Sequence, residues 1–337
     1  MMRDVAIIGA GPVGLFAVFA CGQLGMTCAV VDALADPGGQ LTALYPEKPI
    51  YDIPGRPAVR ADALVADLLA QAAPYAPHYH LGVSATALSQ DGNGHFRITL
   101  SSGETLAAKA VILAAGAGAF GPNRPPLDGI EAFEGVSVFY HVAKRDRFAG
   151  KRIVIAGGGD SAVDWALSLA DVAAHVTVVH RREAFRAHPA NVAAMGSHDT
   201  ITVMTPYQLT ALHGAGSALQ AVDIARVGGG TTRLEADALI ALYGLASDLS
   251  LLADWGLLID GKRIPVAAAT TATARDGVYA IGDVATYPGK LDLILTGFAE
   301  AAVAAHEAYA RVFPGKPLRS EYSTTRGVPG LATATAA

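Results

Sequence analysis

Two glycine-rich segments hold the residues of this sequence that are best suited to binding phosphates. The first includes Gly9, Gly11 and Gly14, and the second runs from Gly157 to Gly159. Glycines at this spacing allow a tight turn, a close approach of the backbone to a pyrophosphate, and close packing of the following helix. The start of that helix offers unpaired N–H groups and a positive dipole. Each segment therefore predicts a dinucleotide site, with a plain loop as the alternative for either segment alone.

The residue at the end of each unit differs in charge. Asp32 lies 23 residues after Gly9, and His180 lies 23 residues after Gly157. A carboxylate accepts hydrogen bonds from free ribose hydroxyls and repels a 2′-phosphate, whereas guanidiniums pair with phosphate oxygens. Three arginines follow His180 closely: Arg181, Arg182 and Arg186. The first unit therefore predicts FAD and the second predicts NADPH in preference to NADH, with a solvated basic loop as the alternative for the arginines.

Each glycine segment needs a strand before it, a helix after it and a second strand, and apolar runs predict these elements in both units. The predicted elements are Val5–Ile8, Leu15–Leu24 and Cys28–Val31 in the first unit, and Arg152–Ala156, Val163–Ala170 and Val176–Val179 in the second. Because the whole unit occurs twice, a chance match to the glycine pattern is a poor explanation.

The composition is that of a globular chain with much buried surface. Of 337 residues, 52% are apolar and 16% are charged, and the formal net charge is −5. This charge argues against a nucleic-acid binder that relies on global positive charge. Residues 5–31 carry no charge, but Pro12 and several glycines interrupt the run, so a buried strand, helix and strand are expected instead of a membrane span. Cys21 and Cys28 make neither a disulfide framework nor a zinc set, which fits a reducing compartment and predicts the cytoplasm.

The order of the segments predicts how the domains are connected. An apolar strand ends at Gly116, prolines follow, and a later strand reaches a turn at Gly282–Asp283, after which residues 291–309 are expected to be helical. We expect an α/β fold with two Rossmann-like dinucleotide-binding domains, in which the FAD domain is split by an inserted NADPH domain. The predicted parts are 1–117 and 247–337 for FAD, and 118–246 for NADPH.

The two units, the strand ending at Gly116 and the late Gly282–Asp283 turn together resemble the two-dinucleotide-binding flavoproteins, thioredoxin reductase branch. Thioredoxin reductases carry a C-x-x-C pair just before the second glycine loop, where residues 138–143 contain no cysteine. Four motifs make the sequence similar instead to the thioredoxin-reductase-like class of ferredoxin (flavodoxin)–NADP⁺ reductases: Gly38–Lys48, Tyr51–Gly55, Gly157–Ala166 and His180–His188.

The resemblance implies bound FAD and NADPH and assigns contacts residue by residue. The FAD set is Gly9, Gly11, Pro12, Val13, Gly14, Asp32, Gln40, Tyr45, Ala85, Phe120, Asp283 and Thr324. The NADPH set is Gly157, Gly159, Asp160, Ser161, Arg181, Arg182 and Arg186. In this class aromatic rings cover both flavin faces, for which Tyr45 and Tyr322 are the candidates, and no acid–base residue is assigned. Four histidines, 141, 175, 180 and 188, lack metal-ligand spacing, so no metal is expected.

The implied reaction is hydride transfer between NADPH and FAD, coupled to one-electron transfer with ferredoxin or flavodoxin. A homodimer is implied by the family resemblance alone. Two basic segments are candidates for docking an acidic carrier: residues 144–147 with 151–152, named here the basic patch, and residues 315–319. Solvated loops are the alternative for both. The rival functions are an NADPH reductase of another acceptor, such as a quinone or a low-molecular-weight disulfide, and a non-catalytic nucleotide-binding sensor.

Overall fold

The computed structural model describes residues 2–116, 119–142, 144–247, 249–318, 324 and 327–329. The helices are α1 (Pro12–Gln23), α2 (Gln40–Ala43), α3 (Ala61–Ala72), α4 (Asp160–Ala170), α5 (Pro189–Gly196), α6 (Ser250–Ala253) and α7 (Ile294–Val312). Among the described residues, none of the helices combines the length and the apolar character needed to span a bilayer.

The strands of the first 122 residues are β1 (Met2–Ile8), β2 (Cys28–Asp32), β3 (Pro49–Ile50), β4 (Val59–Arg60), β5 (His78–Leu81), β6 (Ala85–Gln90), β7 (Phe96–Leu100), β8 (Thr105–Leu113) and β9 (Ala119–Pro122). The strands that follow are β10 (Val138–Phe139), β11 (Arg152–Ala156), β12 (His175–Val179), β13 (Ile201–Met204), β14 (Tyr207–Ala215), β15 (Ala218–Arg226), β16 (Thr231–Glu235), β17 (Ala238–Ala241), β18 (Leu245–Ser247), β19 (Ile264–Pro265), β20 (Val278–Ala280) and β21 (Ala285–Thr286).

The chain forms two compact units, of which the first is made of residues 1–120 and 247–337 and the second of residues 121–246. The first unit contains a seven-stranded sheet in the order β5-β2-β1-β8-β7-β6, with β20 paired to β8. Pairing is parallel among β5, β2, β1, β8 and β20, whereas β6 and β7 pair antiparallel. Alternate residues of β1 enter different cores, because Val5 and Ile7 pack on one face and Ala6 packs on the other.

The second unit contains a five-stranded sheet in the order β10-β17-β11-β12-β13, paired in parallel throughout, and a three-stranded antiparallel sheet β14-β15-β16. Its core joins Val154 and Leu239 of the parallel sheet to Val222 and Ile224 of the antiparallel sheet. The predicted fold class, α/β with two Rossmann-like units of which one is interrupted by the other, is confirmed.

Three predicted helix starts shift by three residues. Helix α4 begins at Asp160 and not at Val163, and the shifts of the other two have identifiable reasons. Helix α1 begins at Pro12, three residues before the predicted start, because proline has no N–H to lose and its fixed φ suits the first helical position. Helix α7 begins at Ile294 and not at Leu291, since the residue before it, Leu293, has extended backbone (φ −123°, ψ 145°).

The glycine loop between β1 and α1 is closely packed against the sheet. Gly9 has a φ of +114°, and a Cβ atom there would lie 2.2 Å from the carbonyl oxygen of Ala114. A Cβ atom on Gly14 would lie 1.9 Å from the carbonyl oxygen of Gly9. Both obstacles are backbone atoms, which move only if the helix or the strand moves.

We expect Gly14→Ala to lower the free energy of unfolding by about 2 kcal/mol or more, because the added methyl forces α1 away from β1. Thermal unfolding followed by circular dichroism measures the effect. Gly92→Ala is the matched control, because a Cβ atom there meets nothing within 4 Å. Equal melting temperatures for Gly14→Ala and the wild type would contradict the close packing described here.

Candidate functional site

The first glycine loop presents the start of α1 at the carboxyl ends of the parallel strands. Gly11 is the N-cap residue, with φ −67°, no side chain caps the helix, and its first turn contains no acidic residue. A Cβ atom on Gly11 would meet no protein atom within 4 Å. Neither the fold nor the backbone conformation therefore explains glycine at this position, whereas a ligand lying on the open N–H groups would.

Asp32, the last residue of β2, is held beside this loop by the backbone. Its Oδ2 accepts the N–H of Ala10 at 2.6 Å, and its Oδ1 accepts the N–H of Leu34 at 2.8 Å. A carboxylate has about four lone-pair sites, so acceptor capacity remains for ribose hydroxyls. The carbonyl of Asp32 accepts the N–H of Val83 at 3.1 Å, so the segment that leads into β6 at Ala85 passes the end of β2.

The segment before α2 packs on the same loop. The N–H of Gly38 donates to the carbonyl of Ala10 at 2.8 Å, and a Cβ atom on Gly39 would lie 3.0 Å from the Cα of Gly11. The side-chain amide nitrogen of Gln40 lies 3.5 Å from where a Cβ atom of Gly116 would be. Gln40 is therefore placed between the first glycine loop and the segment that follows β8.

Tyr45 and Asp283 interact although they are far apart in sequence. Tyr45 is partly buried against the apolar cluster around α3, with the Nζ of Lys48 at 6.0 Å from its ring centroid. Burial and the negative charge of Asp283 raise the pKa of Tyr45, so its hydroxyl stays protonated near neutral pH. Burial, with Asp292 adding to it, raises the pKa of Asp283 itself.

A buried ion pair that the sequence analysis did not anticipate lies behind Asp283. Glu300, on α7, pairs with Lys290, and their side chains are only 6% and 3% exposed. Glu300 also accepts the N–H of Gly282 at 2.7 Å and the hydroxyl of Tyr287 at 2.7 Å. The available signal was a glutamate inside an alanine-rich helical run, where a charged residue on the buried face needs a partner.

The second glycine loop precedes α4 and is packed differently from the first. A Cβ atom on Gly158 would lie 2.1 Å from the imidazole of His180, and one on Gly157 would lie 2.7 Å from the carbonyl oxygen of Leu242. Around Gly159, the N-cap residue of α4, the nearest atom to such a Cβ is the carbonyl oxygen of Arg186 at 3.9 Å. The most open glycine is thus the one at the start of the helix, as in the first unit.

The segment that carries the arginines folds back onto this loop. The N–H of Arg186 donates to the carbonyl of Gly158 at 2.7 Å, and the N–H of His188 donates to the carboxylate of Asp160 at 2.9 Å. Asp160 therefore anchors the segment, while the neighbouring Ser161 is exposed in the first turn of α4.

The three arginines of this segment are exposed: Arg181, Arg182 and Arg186. Within the described part of the chain, none of them pairs with a carboxylate, although Glu183 lies among them in sequence. The ring of His180 packs on Phe185 with centroids 5.1 Å apart. Burial, with the positive charge of the arginines, lowers the pKa of His180. The positive charge of the segment at neutral pH therefore comes from the guanidiniums.

Three of the predicted flavin contacts are not brought together with Asp32 and Tyr45 by the described contacts. The backbone of Phe120 lies in β9, and its side chain is outside what the structure describes. Tyr322 lies outside the described residues. Thr324 is exposed, and three residues later the carbonyl of Gly327 accepts a hydrogen bond from Gln23 of α1 at 3.2 Å.

The basic patch contributes less free positive charge than its sequence indicates. Arg145 pairs with Asp171 at 3.1 Å, and Arg152 pairs with Asp237 at 2.8 Å. Such exposed pairs contribute little stability, but they offset the charge of the patch. As for metal ions, the described residues contain no group of three or more histidine, cysteine, aspartate or glutamate side chains that could hold one.

Comparison with known proteins agrees with this geometry. The profile of the pyridine nucleotide-disulphide oxidoreductase family matches residues 3–308. The chain is 56% identical to a ferredoxin–NADP reductase of Rhodospirillum rubrum over 98% of both chains, and 56% identical to one of Paramagnetospirillum magneticum over 97% of this chain and 98% of that one. The crystal structure of Lactococcus lactis thioredoxin reductase matches with a TM-score of 0.78 at 25% identity, covering 92% of this chain and 99% of that one.

The resemblance drawn from the motifs is thereby confirmed. Over nearly its whole length, the chain belongs to the pyridine nucleotide-disulphide oxidoreductase family and, within it, to the ferredoxin–NADP reductases of the thioredoxin-reductase-like type.

Proposed function

We propose that this protein is an FAD-dependent ferredoxin–NADP⁺ reductase, which couples hydride transfer between NADPH and FAD to one-electron transfer with ferredoxin or flavodoxin. The observation that carries the proposal is the contrast between its two glycine loops. Each opens onto a helix start without a side-chain cap. The first is followed by the carboxylate of Asp32, and the second by guanidiniums that pair with no carboxylate among the described residues. This contrast suits one coenzyme with free ribose hydroxyls and another with a 2′-phosphate.

The first unit, residues 1–120 with 247–337, would hold FAD. Its loop fits the pyrophosphate because Gly11 leaves open space over the N–H groups at the start of α1, where Pro12, Val13 and Gly14 continue the turn. Asp32 would accept ribose hydroxyls, and the backbone at Ala85 would lie near the adenine. Bound FAD supplies the ability to take up two electrons as a hydride and to release them singly.

The chain's own residues would orient the flavin ring and cover its faces. Tyr45 would stack on one face, where its protonated hydroxyl adds no charge. Gln40 and Asp283 would supply hydrogen bonds near the ring and along the ribityl and pyrophosphate region. For Phe120, Tyr322 and Thr324, the family resemblance is the support for a flavin contact, and we propose them on that ground.

The second unit, residues 121–246, would hold NADPH. Gly157 and Gly159 would admit the pyrophosphate at the start of α4, with the exposed hydroxyl of Ser161 able to donate to it. Asp160 would act indirectly, because its carboxylate already holds the backbone of His188. The arginines after His180 would pair with the 2′-phosphate, and their charge does not vary in the physiological pH range.

We propose that the electron carrier is ferredoxin or flavodoxin and that this protein is a homodimer in the cytoplasm. Such carriers are usually acidic, and this chain has a net charge of −5, so docking requires local positive charge. Arg145 and Arg152 of the basic patch have carboxylate partners, so Lys144, Arg147 and Lys151 are its remaining cations for this purpose.

The experiment that tests the function is spectroscopic. We expect the purified protein to be yellow and to be bleached anaerobically by NADPH much faster than by NADH. Stopped-flow mixing of the reduced protein with ferredoxin, flavodoxin, a quinone and a low-molecular-weight disulfide should give the fastest oxidation with one of the two protein carriers. Faster oxidation by a small acceptor would favour the rival reductase, and a flavin that NADPH cannot bleach would favour the sensor.

Replacing Gly11 separates ligand binding from folding. A methyl group at this position meets no protein atom within 4 Å, so Gly11→Ala should leave the melting temperature of the FAD-free chain within about 2 °C of the wild type. Because the methyl lies over the proposed pyrophosphate position, we expect FAD affinity to fall roughly tenfold or more, about 1.4 kcal/mol. Fluorescence of released FAD measures it, with Gly92→Ala as the control. Unchanged affinity would contradict the placement of FAD.

Replacing the arginines tests the choice of coenzyme. Because a hydrogen bond to a charged group contributes about 1.5 to 3 kcal/mol, Arg181→Ala and Arg182→Ala should each raise KM for NADPH roughly tenfold or more. KM for NADH should change little. Steady-state kinetics with both coenzymes measure the effect, and Arg97→Ala, an exposed arginine of the first unit, is the control. Equal losses with NADPH and NADH would count against a 2′-phosphate contact.

A further inference from the structure

The ion pair between Glu300 and Lys290 lies where several parts of the first unit meet. Glu300 projects from α7 and accepts the N–H of Gly282, which has a φ of +71° and begins the turn that carries Asp283. A Cβ atom on Gly282 would lie 3.5 Å from Val13, in the first turn of α1. One turn before Glu300, a Cβ atom on Gly297 would lie 2.3 Å from the same valine, so α7 and α1 also touch here.

The two oxygens of the Glu300 carboxylate accept hydrogen bonds from different donors. Its Oε2 accepts the buried N–H of Gly282, whereas its Oε1 accepts from Lys290 and from the hydroxyl of Tyr287. Burial and the nearby carboxylate raise the pKa of Tyr287 to about 12, so this hydroxyl remains a donor. The Nζ of Lys290 also lies 5.5 Å from the Tyr287 ring centroid. Both carboxylate oxygens therefore have donors, and the carboxylate cannot turn away from Gly282 without leaving a buried donor unpaired.

The charges around Asp283 also depend on this pair. Burial and the negative charges of Asp292 and Glu300 raise the pKa of Asp283, whereas the positive charges of Lys290 and Arg263 lower it. Arg263 is already engaged by Asp292 through two hydrogen bonds of 2.7 Å. Lys290 is therefore the cation that balances Glu300, and without it the turn would present excess negative charge to a pyrophosphate.

We propose that Glu300 is a positioning residue for the flavin dinucleotide, with Lys290 as the counter-charge that allows a carboxylate to be buried behind the Gly282–Asp283 turn. The inference rests on the proposed FAD site of the first unit. Glu300 itself touches no coenzyme in this scheme, because it acts through the Gly282 N–H, which fixes the direction of the Asp283 carboxylate.

The test compares two double variants of the full-length holoenzyme. Glu300→Gln with Lys290→Met removes both charges but keeps an amide oxygen to accept the Gly282 N–H, whereas Glu300→Leu with Lys290→Met removes the charges and the acceptor. FAD release on dilution, read as recovered FAD fluorescence, gives the dissociation constant. We expect the glutamine double variant to stay within threefold of the wild type, and the leucine double variant to bind FAD at least tenfold more weakly. Glu307→Gln, at an exposed glutamate on the same helix, is the control.

Equal dissociation constants for the two double variants, within twofold, would overturn the inference. If the leucine double variant does not fold, Glu300→Asp decides, because it keeps the charge but is too short to reach Gly282 and Lys290 together. We expect it to bind FAD at least fivefold more weakly, and wild-type affinity would overturn the inference. A wild-type chain that holds no FAD would instead overturn the proposed function.

Discussion

The close approach of α1 to the parallel sheet is the constraint on which the first unit depends. Gly9 and Gly14 leave no room for a methyl group between helix and strand, so the start of α1 is held at the carboxyl end of β1. From that position, the loop meets Asp32 at the end of the neighbouring strand, the segment before α2, and the end of β8. Helix α7 packs on the same first turn through Gly297. The proposed coenzyme pocket is therefore a consequence of how tightly the helix lies on the sheet.

The two glycine loops have the same sequence pattern, but the contacts around them differ. In the first, the backbone carbonyls of Ala114 and Gly9 exclude side chains from Gly9 and Gly14, as the carbonyl of Leu242 does from Gly157 of the second. In the second, the ring of His180 excludes a side chain from Gly158, and the basic segment is tied to the loop by backbone hydrogen bonds from Arg186 and His188. The anion-binding geometry thus recurs, while the contacts that stabilise it differ.

Most of the fold follows from local sequence, because short apolar strands, glycine turns and the period of the helices are local properties. The bounds of α1 and α7 differ from expectation where a proline and an extended residue decide the first turn. The proposed site is only partly local. Asp32 is marked by its distance from Gly9, but the role of Glu300 depends on Gly282 and Lys290, which are brought to it by the tertiary fold. No pattern of spacing reveals which donors a buried carboxylate will meet.

The contact between Gly158 and the imidazole of His180 links two positions that are 22 residues apart in the chain. A side chain can enter position 158 only if position 180 loses its ring, so the two sites are expected to covary among homologues. For engineering, the guanidiniums can be exchanged without disturbing this contact, but a replacement of the whole segment that puts a small residue at position 180 would open a void beside Gly158. Coenzyme preference and loop rigidity are thus separable when His180 is retained.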